Sequence, residues 1–192
     1  MTTPRLLAFA GSTRAGSFNK KLARVLAEGA RQAGADVTVL DLRDFALPLY
    51  DGDLEEASGI PAPAMELKRL FKAHHGLLIA SPEYNSSISG ALKNTIDWVS
   101  RPVPDEKPLE AFKGKVAALC SASPGALGGL RGLVTLRSIL SNIGVLVLPD
   151  QVAVGKADEA FDEQGALKDP KQQKLIEKLG AEAARVAGKL NA

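Results

Sequence analysis

Leu6-Leu7-Ala8-Phe9-Ala10-Gly11-Ser12-Thr13-Arg14-Ala15-Gly16-Ser17-Phe18-Asn19 is the stretch on which the fold turns. Five apolar residues without alternation, stopped by a glycine, read as a strand buried on both faces. Beyond the polar loop, Leu22, Val25, Leu26 and Ala30 recur at helical spacing, and Gly34 marks the end of that helix. A buried strand running through a glycine-containing loop into an amphipathic helix is the opening half of a βαβ unit.

Working outward, the same alternation repeats. Val37 to Leu40 forms a second strand, followed by a loop over 44–59 and a helix from Pro61 carrying Met65, Leu67, Leu70 and Phe71, with His74 and His75 at its last turn. Gly76 to Ser81 is a third strand, and a helix from Gly90 to Ser100 puts Leu92, Ile96 and Val99 on one face. Lys115 to Cys120 is the fourth strand, followed by a helix with Leu133, Leu136, Ile139 and Leu140. Val145 to Leu148 is the fifth, interrupted or ended at Pro149, and a final helix from Pro170 carries Leu175, Leu179, Val186 and Leu190 on one stripe. Strands alternating with helices require a parallel sheet covered on both faces. The expected fold is α/β, a flavodoxin-like five-stranded parallel sheet of order 2-1-3-4-5, in one domain spanning 1–192.

Composition narrows the function. The chain has 192 residues, 45% hydrophobic and 24% charged, which excludes a disordered tail, a collagen-like repeat and a disulfide scaffold. The net charge of +2 comes without a block of one sign, so neither nucleic acid nor an anionic membrane is an expected partner. A lone Cys120 allows no intramolecular disulfide and no thiol cage for zinc, and it points to a reducing, cytoplasmic setting. The first apolar run is too short for a signal segment or a membrane span. Eighteen glycines against six Phe, two Tyr and one Trp make the placement of the glycines informative.

In open α/β sheets, ligands collect beyond the carboxyl ends of the strands, where the strand order reverses. Three polar loops follow strands one, three and four and open onto that crevice. The first, Gly11 to Asn19, brings hydroxyls, an amide, the Arg14 guanidinium and a helix N-terminus, a set suited to a phosphate. It matches neither the Walker A pattern, since Ser17-Phe18 follows Gly16, nor Gly-x-Gly-x-x-Gly, since Thr13 stands at the second glycine. The second, Ser81 to Gly90, places Pro82, Tyr84 and Asn85 together, as a planar heteroaromatic ligand requires. The third, Ser121 to Gly129, is rich in small residues and lets backbone approach a ligand closely.

Gly11, Ser12, Arg14, Ser17 and Asn19 match a Gly-Ser-x-Arg-x-x-Ser-x-Asn motif. Pro82-Glu83-Tyr84-Asn85 is followed by a Gly-x-Leu-Lys-Asn-x-Ile-Asp-Trp run from Gly90 to Trp98. With Ser121 to Gly129 in third place, the chain resembles the NADPH-dependent FMN reductase family of flavodoxin-like proteins, which includes quinone, azo and chromate reductases. The resemblance implies that Ser12, Arg14, Ser17, Phe18 and Asn19 hold the FMN phosphate. It implies that Pro82, Glu83, Tyr84 and Asn85 line the isoalloxazine, with Ala122, Ser123 and Gly125 meeting the ring from the third loop. It further implies NADPH or NADH as electron donor, a small-molecule acceptor, and a homodimer or homotetramer with FMN near the subunit interface.

The function that follows is an NAD(P)H oxidoreductase passing electrons through bound FMN, by a ping-pong mechanism, to quinones, azo compounds, chromate or free flavin. The cofactor carries the hard chemistry, so no protein group is expected to act as a catalytic acid, base or nucleophile, and no metal site is expected. An FMN electron carrier, or a redox-responsive binding protein without NAD(P)H oxidation, is the alternative. Outside the loops, Cys120 and Trp98 read as packing residues and Arg101 as a candidate for a subunit ion pair; within the second loop, Glu83 reads as structural, interfacial or proton-donating.

Overall fold

A computed structural model describes residues 2–191. Its central sheet consists of β1 (Arg5–Ala10), β2 (Asp36–Val39), β3 (Gly76–Ala80), β6 (Val116–Ala122) and β7 (Leu146–Val154). All four pairings in that sheet are parallel and the order is β2-β1-β3-β6-β7. Counting these strands alone, that is the order 2-1-3-4-5 expected from the sequence. The remaining pair, β4 (Glu83–Tyr84) and β5 (Ser87–Ile88), forms a small antiparallel hairpin outside the sheet.

Residues of β1 alternate between two cores. Leu6, Ala8 and Ala10 face α1 (Phe18–Gln32) and α7 (Pro170–Leu190), whereas Leu7 and Phe9 face α3 (Ala62–Ala73), α4 (Gly90–Val99) and α5 (Leu130–Asn142). Burial on both faces is why the strand reads as an unbroken apolar run. Two short helices, α2 (Gly52–Ser58) inside the loop expected over 44–59 and α6 (Ala157–Ala160), and a 3-10 turn at Leu42–Asp44 complete the described elements.

The final helix departs from expectation in its buried stripe. Leu175 and Leu190 are about half exposed, while Ile176, Leu179, Gly180, Ala183, Ala184 and Ala187 are buried. The reason is close approach: a Cβ on Gly180 would lie 2.1 Å from the Leu26 carbonyl oxygen, and one on Gly29 would lie 2.0 Å from that of Glu177. Helices crossing at that distance admit only small residues, so the large leucines turn outward. Met65, expected on the inner face of α3, is likewise exposed. The helix ends at Ala73, so His74 is its cap and His75 precedes β3.

The fifth strand of the sheet is interrupted at Pro149 and continues to Val154. Ala117 pairs with Val147 but Leu119 with Gln151, so β7 bulges where Pro149 cannot donate to the ladder.

The crevice at the carboxyl end of the sheet

The three polar loops meet where the sequence placed them. Ser12, Arg14, Ser17, Phe18, Asn19, Pro82, Glu83, Tyr84, Ala122, Ser123 and Pro124 line one crevice of about 180 Å³. Asn85 and Gly125 stand outside this lining; Pro124, unremarked in the sequence, joins it.

Ser17 occupies the N-cap of α1 with extended backbone, yet its hydroxyl makes no capping bond. The Lys20 amide already donates to the Ser17 carbonyl at 3.1 Å, which leaves the Phe18 and Asn19 amides and Ser17 Oγ as unused donors at the crevice. Arg14 lies over the Phe18 ring, 5.5 Å from its centroid, and donates from Nη2 to the Gly16 carbonyl. Phe18 in turn stacks on Phe161 at 6.1 Å. Arg14 therefore sits on an aromatic shelf at the mouth rather than in an ion pair.

Asn19 takes a different part. Its Nδ2 donates to the Ala122 carbonyl at 2.8 Å and its Oδ1 accepts from the Ala122 amide at 2.9 Å. With both ends of the carboxamide occupied, Asn19 joins the first loop to the third and fixes the width of the crevice. Ser89 ties the second loop to the first: its hydroxyl caps Leu92 N and donates to the Gly11 carbonyl. Gly11 permits this approach, since a Cβ there would come within 2.9 Å of Leu92.

The second loop is the β4–β5 hairpin. Asn85 (φ 51°) and Ser86 (φ 64°) both adopt left-handed backbone, which matches a type I′ turn. Tyr84, more than half exposed, projects from the hairpin. The Glu83 carboxylate accepts from the Arg131 and Gly132 amides of α5 at 3.0 and 3.2 Å, and pairs with the Arg131 guanidinium at 2.6 Å. Burial alone would raise this carboxyl, but the Arg131 side chain and the Gly132 amide outweigh it and hold the group below the ordinary glutamate range. The third loop is braced by Ser121, whose hydroxyl donates to the Gly128 carbonyl at 2.6 Å.

These contacts test the crevice against an anionic, flat ligand. Hydroxyls, amides and a guanidinium converge at one end, and Glu83, the acidic residue of the lining, is engaged by α5. Small residues and Pro82 form the remaining wall. Such a donor set fits a phosphate ester joined to an aromatic ring. Two larger grooves, each of about 640 Å³, lie against α7 and against α3.

The other singled-out residues serve the frame. Trp98 is fully buried and donates from Nε1 to the Pro48 carbonyl, an acceptor it shares with Asn94 Nδ2. Arg101 pairs with Glu55 of the same chain at 3.1 Å and lies over the Tyr50 ring. Cys120 is fully buried, and its burial pushes the thiol far up.

Residues 4–159 match the family model described as NADPH-dependent FMN reductase. An NAD(P)H-dependent FMN reductase of Pseudomonas aeruginosa is 37% identical over 174 residues, covering 90% of this chain and 89% of that protein. A quinone reductase of Escherichia coli is 40% identical over 139 residues, covering 72% and 70%. Among solved structures, the flavoenzyme NAD(P)H:(acceptor) oxidoreductase FerB of Paracoccus denitrificans superposes with a TM-score of 0.78 at 27% identity, covering 97% and 98%.

Proposed function

The chain belongs to the NADPH-dependent FMN reductase family, and on that footing we propose that it is an FMN-dependent NAD(P)H oxidoreductase whose acceptors are quinones or similar small molecules. The observation that carries the reading is Ser17: an N-cap serine whose hydroxyl caps nothing, beside the unpartnered Phe18 and Asn19 amides at the carboxyl end of β1. When bound, FMN supplies the two-electron relay between a reduced nicotinamide and an acceptor.

The residues do the rest. Ser17 Oγ, Ser12, the Phe18 and Asn19 amides of α1 and the Arg14 guanidinium would hold the phosphate. Asn19 keeps the phosphate loop and the Ala122–Ser123 wall at a fixed spacing. Pro82, Tyr84 and Asn85 would border the ring and its polar edge, and Ala122, Ser123 and Gly125 would offer backbone on the opposite wall. No side chain is asked to act as a nucleophile, and donor and acceptor would use the open crevice in turn. That arrangement supports ping-pong kinetics.

A homodimer or homotetramer belongs to the same proposal, supported by exposed apolar side chains such as Leu49 and Met65. A cytoplasmic location is part of it too, in keeping with the free, buried Cys120.

Purified protein is expected to be yellow or to take up FMN stoichiometrically, to be bleached by NADPH or NADH without oxygen, and to give parallel double-reciprocal lines with a quinone. A protein unable to take up FMN overturns the reading. Flavin that no nicotinamide nucleotide reduces would leave an electron carrier, and intersecting lines would remove the ping-pong scheme. Light scattering that shows a monomer would remove the oligomer.

A further inference from the structure

We propose that Glu83 is a positioning residue: its carboxylate caps the N-terminus of α5 and thereby fixes the hairpin that presents Tyr84 and Asn85 to the flavin ring. The proposal rests on the functional reading above. It concerns a residue that could equally have met the ligand directly.

Helix α5 begins without a capping side chain of its own, because its N-cap is Gly129 in left-handed backbone, φ 90°. The amides of its second and third positions, Arg131 and Gly132, are those that an N-cap side chain ordinarily satisfies. Glu83 satisfies both from far upstream in the chain. It adds a charge-assisted bond from Arg131 Nε at 2.8 Å, and its negative charge sits at the positive end of the helix dipole. The carboxylate is nearly buried, whereas the Arg131 side chain is largely exposed. The amides therefore provide the fixed geometry, and the guanidinium closes over it.

Packing points the same way. A Cβ on Gly132 would lie 3.1 Å from the Ser87 carbonyl oxygen and 3.3 Å from Glu83 Cβ, and one on Gly129 would lie 3.0 Å from Ser121. The hairpin thus rests directly on the first turn of α5, and that turn is reached through the third loop. One carboxylate consequently links the second wall of the crevice to the third, as Asn19 links the third to the first. A two-residue strand pair has little stability of its own, so its orientation depends on this anchor.

The test compares E83A, E83Q and R131A with the wild type. FMN affinity is measured by titration of the apoprotein, the quinone KM and kcat are measured separately, and hydrogen exchange is followed at the hairpin amides of the apoprotein. E83A is expected to weaken FMN binding by about tenfold, raise the quinone KM more than it lowers kcat, and accelerate exchange in Tyr84 to Ser87. E83Q keeps an acceptor for the amides and is expected to lose roughly threefold, and R131A less than twofold. A lower melting temperature in E83A with FMN affinity, quinone KM and hairpin exchange all within twofold of wild type would make Glu83 a helix cap alone and overturn the proposal. If E83A does not fold, E83Q decides on the same criteria. Wild-type protein without FMN uptake overturns the functional reading and this one together; flavin-loaded wild type beside an E83A of equal affinity overturns this one alone.

Discussion

At the carboxyl end of the sheet, Ser17 keeps its hydroxyl free and Arg14 rests on a phenylalanine. At the amino end the polar side chains are bonded within the fold. His74 donates from Nδ1 to the Leu70 carbonyl at 2.6 Å, and its Nε2 lies 2.9 Å from Thr38 Oγ1. His75 Nδ1 accepts from the Arg5 amide at 3.0 Å, and the buried Lys115 donates to the His74 carbonyl. Both ends are rich in polar groups on one parallel sheet. What separates a site from a scaffold is whether those groups already have partners.

This contrast breaks most sharply at Asn19, a crevice residue bonded like one of the amino end. Replacing it with alanine leaves the buried Ala122 amide and carbonyl unpaired, an expected loss of roughly 2–4 kcal/mol in urea unfolding together with weaker FMN uptake. Unchanged stability would mean that the two loops are held by other contacts. Next in size is the double substitution of Arg14 and Ser17 by alanine. FMN affinity should fall by roughly 10- to 100-fold. Because the Ser17 hydroxyl caps nothing, the melting temperature of the apoprotein should move by less than about 2 °C. A large fall in apoprotein stability would contradict the free-donor picture.

The last effect belongs to the amino end and appears only with pH. Burial, with some help from Arg5 and against Glu110, lowers the Lys115 ammonium from 10.5 to about 8. Between those values the unfolded chain holds a proton that the folded chain lacks, so Lys115 adds to stability as pH rises from 8 towards 10.5. Lys115→Met should remove that rise from the urea midpoint while leaving FMN affinity at pH 7 within twofold of wild type. An identical pH slope in both proteins would mean that the lysine titrates normally.

The parts of the fold readable from sequence are those with a strong period. Short unbroken runs bounded by turn signals, such as Leu6 to Ala10 and Leu77 to Ala80, read as doubly buried strands, and their alternation with helices implies a parallel sheet. Elements whose form depends on distant partners were not readable. Helix α2 buries no residue, and the β4–β5 hairpin turns on Asn85-Ser86 with no glycine to announce it. The stripe on α7 misled because hydrophobic size was read as contact, whereas the crossing with α1 selects glycine and alanine. In the site, ten of the twelve motif positions lie along one crevice, but spacing alone could not separate Ser17, which keeps its donor free, from Asn19 and Glu83, which hold the walls.

The bulge at Pro149 bears on how the molecule keeps to itself in a crowded solution. The Leu146 amide faces inward to the Lys115 carbonyl, so its neighbour Val147 points its carbonyl to the open edge of the sheet. Arg137 reaches over from α5 to donate to the carbonyls of Val147 and Pro149, and Pro149 itself has no N–H to offer. A stray strand arriving at this stretch of the edge finds its would-be partners blocked or missing, which disfavours edge-to-edge pairing there.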